Sequence, residues 1–130
     1  MYVLDTNTLI YFFKGIGQVT KRMSAVSPRD IAIPTVVLFA LHVGIAKSQN
    51  PKPRQQLLNS LVSKTVILPF DQPASLYAAL IRAKLEKAGT PIGPIDVLIA
   101  GTAESRSATL VTHNTKEFSK VDTLLLEDWY

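Results

Sequence analysis

The chain has 130 residues, 47% of them hydrophobic and 18% charged, which is enough for one domain with a core of its own and too apolar for a disordered segment. A single domain over residues 1–130 is expected. There is no cysteine, so disulfide scaffolds, thiolate metal sites and cysteine nucleophiles are excluded, and the formal charge of +4 favours polyanionic partners without specifying one. No basic segment followed by an apolar run marks a signal peptide, and no apolar stretch reaches the length of a membrane span. A soluble cytoplasmic protein with no membrane partner is the expectation.

Tyr2 to Leu4 reads as a short strand that runs straight into Asp5, and helix-compatible residues follow from Asn7 to Phe13. A carboxylate at such a junction either caps the helix or stands where the carboxyl end of a buried strand opens into a crevice. Lys14-Gly15-Ile16-Gly17 breaks the helix, and Val19, Met23 and Val26 give the next one an apolar stripe. Ile31-Ala32-Ile33 is a strand stopped by Pro34. Thr35 is placed as the N-cap of a long helix that is apolar on nearly every side, so it lies deep or leans on another subunit. Arg54 to Lys64 returns to helix with Leu57, Leu58, Leu61 and Val62 facing inward.

Val66-Ile67-Leu68 is a third strand. After Pro73 the spacing of Leu76, Ala79, Leu80 and Ala83 predicts a helix with that face buried and Arg82, Lys84, Glu86 and Lys87 in water; Gly89 ends it. Pro91 and Pro94 stiffen the loop before Asp96, which opens an apolar helix with small residues at Ala100, Gly101 and Ala103. Ala108 to Thr112 is a fourth strand, His113 to Phe118 a polar turn, and Leu124 to Leu126 a last strand before Asp128-Trp129-Tyr130. Strands alternating with helices predict a three-layer α/β/α sandwich around a mainly parallel sheet.

Asp5, Asp96 and Glu117 each stand beside strongly apolar sequence, where an ionised carboxylate is costly unless paired. Singly, Asp96 reads equally well as an N-cap and Glu117 as a solvated loop residue. A parallel sheet can bring all three to one edge. There they would repel one another unless a divalent cation lay between them, and oxygen-only ligands suit Mg²⁺ or Mn²⁺. Asn7, Thr112 and Asn114 would supply neutral hydrogen bonds, and His113 is placed to contact substrate. His42, among apolar neighbours, reads as an interface or core histidine. The absence of a Gly-rich phosphate loop and of a Gly-x-Ser-x-Gly elbow argues against nucleoside triphosphate binding and serine hydrolysis.

Leu4-Asp5-Thr6-Asn7, Gly93-Pro94-Ile95-Asp96-Val97-Leu98-Ile99-Ala100 and Val111-Thr112-His113-Asn114-Thr115-Lys116-Glu117-Phe118 resemble the three signature blocks of the PIN-domain toxins called VapC. The likeness spans essentially the whole chain, including the closing Asp128-Trp129-Tyr130. It implies a metal-dependent endoribonuclease that forms a homodimer and is held inactive by a VapB-type antitoxin, through which alone it reaches operator DNA. Members similar to this chain cut the anticodon region of initiator tRNA. By that resemblance Asp5, Asp96 and Glu117 bind the metal and Asn114 supports them.

One position departs from the pattern, for relatives carry a catalytic glutamate where this chain has Ala40, and often a second acid in place of His42. An intact fold with activity reduced by orders of magnitude is the expectation. An engineered disarming change and natural drift are both open as its origin. Lys14, Arg22, Lys47, Lys116 and Lys120 are the basic residues suited to an RNA backbone. A non-catalytic corepressor working through its antitoxin is the alternative reading. An unrelated phosphotransfer protein is disfavoured for want of a lysine after a late strand.

Overall fold

The computed structural model describes residues 1–130. Five short strands, β1 (Tyr2–Leu4), β2 (Ile31–Pro34), β3 (Val66–Leu68), β4 (Thr109–Val111) and β5 (Leu125–Glu127), form one sheet in the order β3-β2-β1-β4-β5, with every neighbouring pair parallel. Helices α1 (Thr6–Lys14), α2 (Val19–Ser24), α3 (Thr35–Ala46), α4 (Lys52–Lys64), α5 (Gln72–Lys87), α6 (Pro94–Ser105) and α7 (Thr115–Phe118) fill the connections. From β1 the chain steps outward to β2 and β3, then returns past β1 to β4 and steps the other way to β5. Right-handed crossovers running in opposite directions place their helices on opposite faces, which produces the expected α/β/α sandwich.

Val3, Leu4, Ala32, Ile33, Leu110 and Val111 are fully buried, as strands covered on both faces require. The strand order reverses between β1 and β4, and in an open parallel sheet the crevice lies there, beyond the carboxyl ends of those two strands. Asp5 follows β1 and Thr112 follows β4, so both residues stand at that crevice. No helix is long and apolar enough to cross a membrane.

Three sequence expectations are corrected by packing. Pro34, not Thr35, holds the N-cap position of α3; the Thr35 hydroxyl instead accepts from the Phe70 backbone N–H at 3.2 Å, tying α3 to the end of β3. In α4, Leu58 and Leu61 are buried but Leu57 points outward, 47% exposed. The third correction is larger. Leu76 and Leu80 of α5 are 58% and 59% exposed, whereas Ala74, Ala78, Ile81 and Leu85 form the buried face.

The cause of that reversal is the partner of α5. A Cβ built on Gly101 of α6 would stand 2.5 Å from the Cβ of Ala78, so the two helices approach backbone to backbone. Only small side chains fit at such a crossing, and the large apolar residues of α5 are left on the outer side. The apolar α3 is likewise divided: Val37, Leu41 and Ile45 are buried, and Phe39 is 60% exposed.

Candidate active site

Asp5 is the N-cap of α1, with extended backbone, and its Oδ1 accepts from the Thr8 backbone N–H at 2.9 Å. Its Oδ2 accepts from the Thr112 hydroxyl at 2.6 Å, across a sequence separation of 107 residues. Thr112 Oγ1 in turn accepts from the Asn114 backbone N–H at 3.0 Å, and the Thr8 hydroxyl donates to the Val111 carbonyl at 3.2 Å. Asp5, Thr8 and Thr112 are all buried. Capping and crevice placement are therefore not alternatives for Asp5, because the carboxylate that caps α1 is also the one locked to the end of β4. Charge-assisted bonds of this kind are the strong ones, and they fix the Asp5 carboxylate in one orientation.

Asp96 lies in the first turn of α6, whose N-cap position is held by Gly93, so the capping role open to Asp96 in the sequence falls away. Its carboxyl is pushed above the usual carboxylate range, first by burial and then by the negative charges of Asp5 and Glu117. Gly93 leaves room for it, since a Cβ there would sit 3.3 Å from Asp96 Oδ2. Glu117, on α7, is half-buried and paired with Lys120 at 3.2 Å. Acids from the ends of β1, α6 and α7 thus share one electrostatic neighbourhood.

That neighbourhood fits a hard divalent cation in donor type and in uncompensated charge. It does not fit in spacing, for no three acidic or histidine side chains close to ligand distance around one point. Both oxygens of Asp5 are engaged by protein donors, and Glu117 is bound by Lys120.

The remaining expected residues divide. Thr112 and Asn114 join the Asp5 network, whereas Asn7 and Lys116 are exposed. His113 is exposed and turns its Nδ1 to Asp128 Oδ2 at 2.9 Å. Burial works to raise the Asp128 carboxyl, but the Tyr130 backbone N–H, the His113 ring bond and its charge outweigh burial and hold it below the ordinary range. Of the basic residues, Lys14 and Lys47 are exposed, Lys120 pairs with Glu117, and Arg22 is bound to Glu127 at 3.0 Å over the Trp129 ring. His42 is exposed.

Ala40 is half-buried on α3, a helix that packs beside both α1 and α6. It lines a groove of about 470 Å³ with Ile10, Phe13, Leu41, Ile45 and Leu57, and with Lys14 and Arg54 at its edge. Thr8, Tyr11, Asp128 and Tyr130 also stand at this site, with no role assigned to them from sequence alone. Thr8 carried a signal, since it stands at the third position after an N-cap acid. The other three meet only through the fold.

A family model described as PIN domain matches residues 2–124. Over 128 residues the chain is 36% identical to the tRNA(fMet)-specific endonuclease VapC of Shigella flexneri, with 98% of this chain and 97% of that one covered. It is 34% identical over 137 residues to Ribonuclease VapC2 of Rickettsia felis, covering 99% and 98% of the two chains. Among solved structures, it is similar to VapBC2 from Rickettsia felis bound to a DNA fragment from their promoter, with a TM-score of 0.92, 34% identity, and coverage of 99% of this chain and 98% of that one. The DNA-bound VapBC from Salmonella typhimurium gives the same TM-score, identity and coverage.

Proposed function

The chain belongs to the PIN-domain family of VapC-type toxins, and from that premise we propose that it is a divalent-metal-dependent endoribonuclease that cuts tRNA, in the anticodon region of initiator tRNA by likeness to the Shigella flexneri relative, and that is weakened by Ala40. The observation that carries this reading is the Asp96 carboxyl. Burial raises its proton affinity, and Asp5 and Glu117, brought from two other elements, raise it further. Carboxylates are gathered against their mutual repulsion where a cation relieves it.

Drawn closer together than they stand in this arrangement, Asp5, Asp96 and Glu117 would hold Mg²⁺ or Mn²⁺, which when bound would supply an activated water and neutralise charge at the scissile phosphodiester. The chain's own residues do the positioning. Thr112 keeps Asp5 Oδ2 fixed and orders the backbone at Asn114, and the Asn114 side chain, exposed at the crevice, supports the site. Asn7, His113 and Lys116 are exposed and would meet the RNA. Ala40 removes a carboxylate from α3, and with it one ligand and one handle on water.

The groove at Ile10, Phe13, Ala40 and Leu57 is the place for an apolar segment of a VapB-type antitoxin, and operator DNA is engaged through that partner. The exposed Phe39, Leu76, Tyr77 and Leu80 supply apolar surface for a homodimer. Ala40 also favours a second reading, in which this chain acts only as a non-catalytic corepressor with its antitoxin.

The deciding experiment is cleavage of a purified tRNA pool in Mn²⁺ or Mg²⁺ by this chain and by Ala40→Glu. A discrete cut by Ala40→Glu that EDTA and Asp5→Asn both abolish is the expected result. If neither protein cuts RNA or binds metal, the nuclease reading fails and the corepressor stands.

A further inference from the structure

The rings of His113 and Tyr130 lie face to face, centroids 4.0 Å apart and planes 18° from parallel. Tyr11 meets both edge-on, 6.0 Å from His113 and 5.0 Å from Tyr130. These three separations make a triangle close to right-angled at Tyr130. Tyr11 therefore stands beside the stack rather than over either outer face. Both stacked residues are exposed.

The stack is held in place from several sides. Asp128 Oδ2 lies 2.9 Å from His113 Nδ1, and Asp128 Oδ1 accepts from the Tyr130 backbone N–H at 2.9 Å, so one carboxylate sets both members. The Tyr130 carbonyl accepts from the Gln18 N–H at 3.0 Å, and Gly17, at φ 69°, lets the chain pass where a Cβ would stand 3.1 Å from the Tyr130 ring. His113 sits between Thr112 and Asn114, the two residues that tie the end of β4 to Asp5. A rigid, solvent-facing aromatic pile thus stands one residue from the acid network.

Resting on the nuclease reading above, we propose that the His113–Tyr130 stack is a nucleobase platform, on which one unpaired base of the RNA piles so that the adjoining phosphodiester reaches Asp5 and Asp96. Single-stranded RNA is gripped by stacking of its splayed bases on aromatic side chains, and every base has a face to offer. Fixing the rings beforehand removes the ordering that a mobile aromatic would require on binding. The exposed Lys14 and Lys116 are available to the flanking phosphates.

The test uses the chain as it stands, with a single-stranded RNA nonamer in which one 2-aminopurine is walked through each position. Stacking quenches the fluorophore, so quenching at one register only, with affinity falling about 5- to 100-fold in His113→Ala and in Tyr130→Ala, is the expected result. His113→Phe keeps a ring but loses the Asp128 bond, and it should retain the quenching register and most of the affinity. Circular dichroism confirms that each variant is folded. Cleavage of the nonamer by Ala40→Glu is followed in parallel to separate the two readings. RNA cut by Ala40→Glu and bound equally well by both alanine variants overturns the platform alone. No binding and no cutting in any variant overturns the nuclease and the platform together. Alanine variants that keep RNA affinity but lose a co-purifying protein would reassign the stack to a protein contact and overturn the proposal.

Discussion

Gly101 and Gly44 both lie within helices, and replacing each by alanine should move stability in opposite directions. At Gly101 the added Cβ would stand 2.5 Å from the Cβ of Ala78, 2.6 Å from its N and 2.7 Å from its Cα. Carbon atoms rest at about 3.5–4.0 Å, so the methyl intrudes by about 1 Å. Two of the three obstructing atoms are backbone, and no rotamer change clears them. The helices α5 and α6 must part, at a cost of about 1–3 kcal/mol. Alanine returns about 0.5–1 kcal/mol of helix propensity, leaving a net loss of up to about 2.5 kcal/mol.

For a chain of this length that lowers Tm by up to about 9 °C. At Gly44 nothing lies within 4 Å of the new Cβ, so only the propensity gain remains, and Tm should rise by about 2–4 °C. Urea titration and thermal scans by far-ultraviolet circular dichroism read both. If Gly101→Ala matches or exceeds the native stability, the close crossing of α5 and α6 is not real, and the account given for the reversed face of α5 falls with it.

Thr112→Val should destabilise by about 2–3 kcal/mol, because it leaves the buried Asp5 Oδ2 without its donor, whereas Thr112→Ser should stay close to native in the same titration. Asp96 holds its proton to higher pH folded than unfolded, so its contribution is present below an unfolded value of about 3.9 and lost as pH rises through the raised folded one. Asp96→Asn should therefore raise Tm at neutral pH without metal, and it should also erase the Tm gain from added Mn²⁺; an unchanged gain would place the cation elsewhere. Asp128 has the opposite sign, since its lowered carboxyl adds stability above about pH 3.9 that is lost as pH falls through the folded value. A pH series of Tm should show a shallower acid decline for Asp128→Asn than for the native chain.

The sheet was legible because its strands are short apolar runs bounded by breakers, and burial on both faces leaves such runs little choice of structure. Asp5 was legible for a related reason, as a carboxylate directly after a buried strand needs a partner. The face of α5 was not. Leu76 and Leu80 are more apolar than Ala74 and Ala78, yet the alanines go inside, because the distance to Gly101 is set by α6, which is remote in sequence. Periodicity finds an amphipathic helix but weighs size as burial, and a close crossing inverts that weighting. The stacked His113 and Tyr130 were hidden similarly. Each looked like an isolated aromatic or polar residue, and Asp128, which orders both, reads in sequence as part of a polar ending.

The bond from Thr112 to Asp5 spans 107 residues and joins the two strands at the middle of the sheet. On a ribosome, Asp5 is made 107 residues ahead of the hydroxyl that holds it. Until β4 emerges, β1 can pair with β2 but its other edge is open, and Asp5 has no hydroxyl to hold it. Nascent chains and fragments ending before Thr112 therefore lack the second of the two bonds that orient the carboxylate. The order of strands along the gene delays the full ordering of the Asp5 carboxylate until β4 has been made and has docked beside β1.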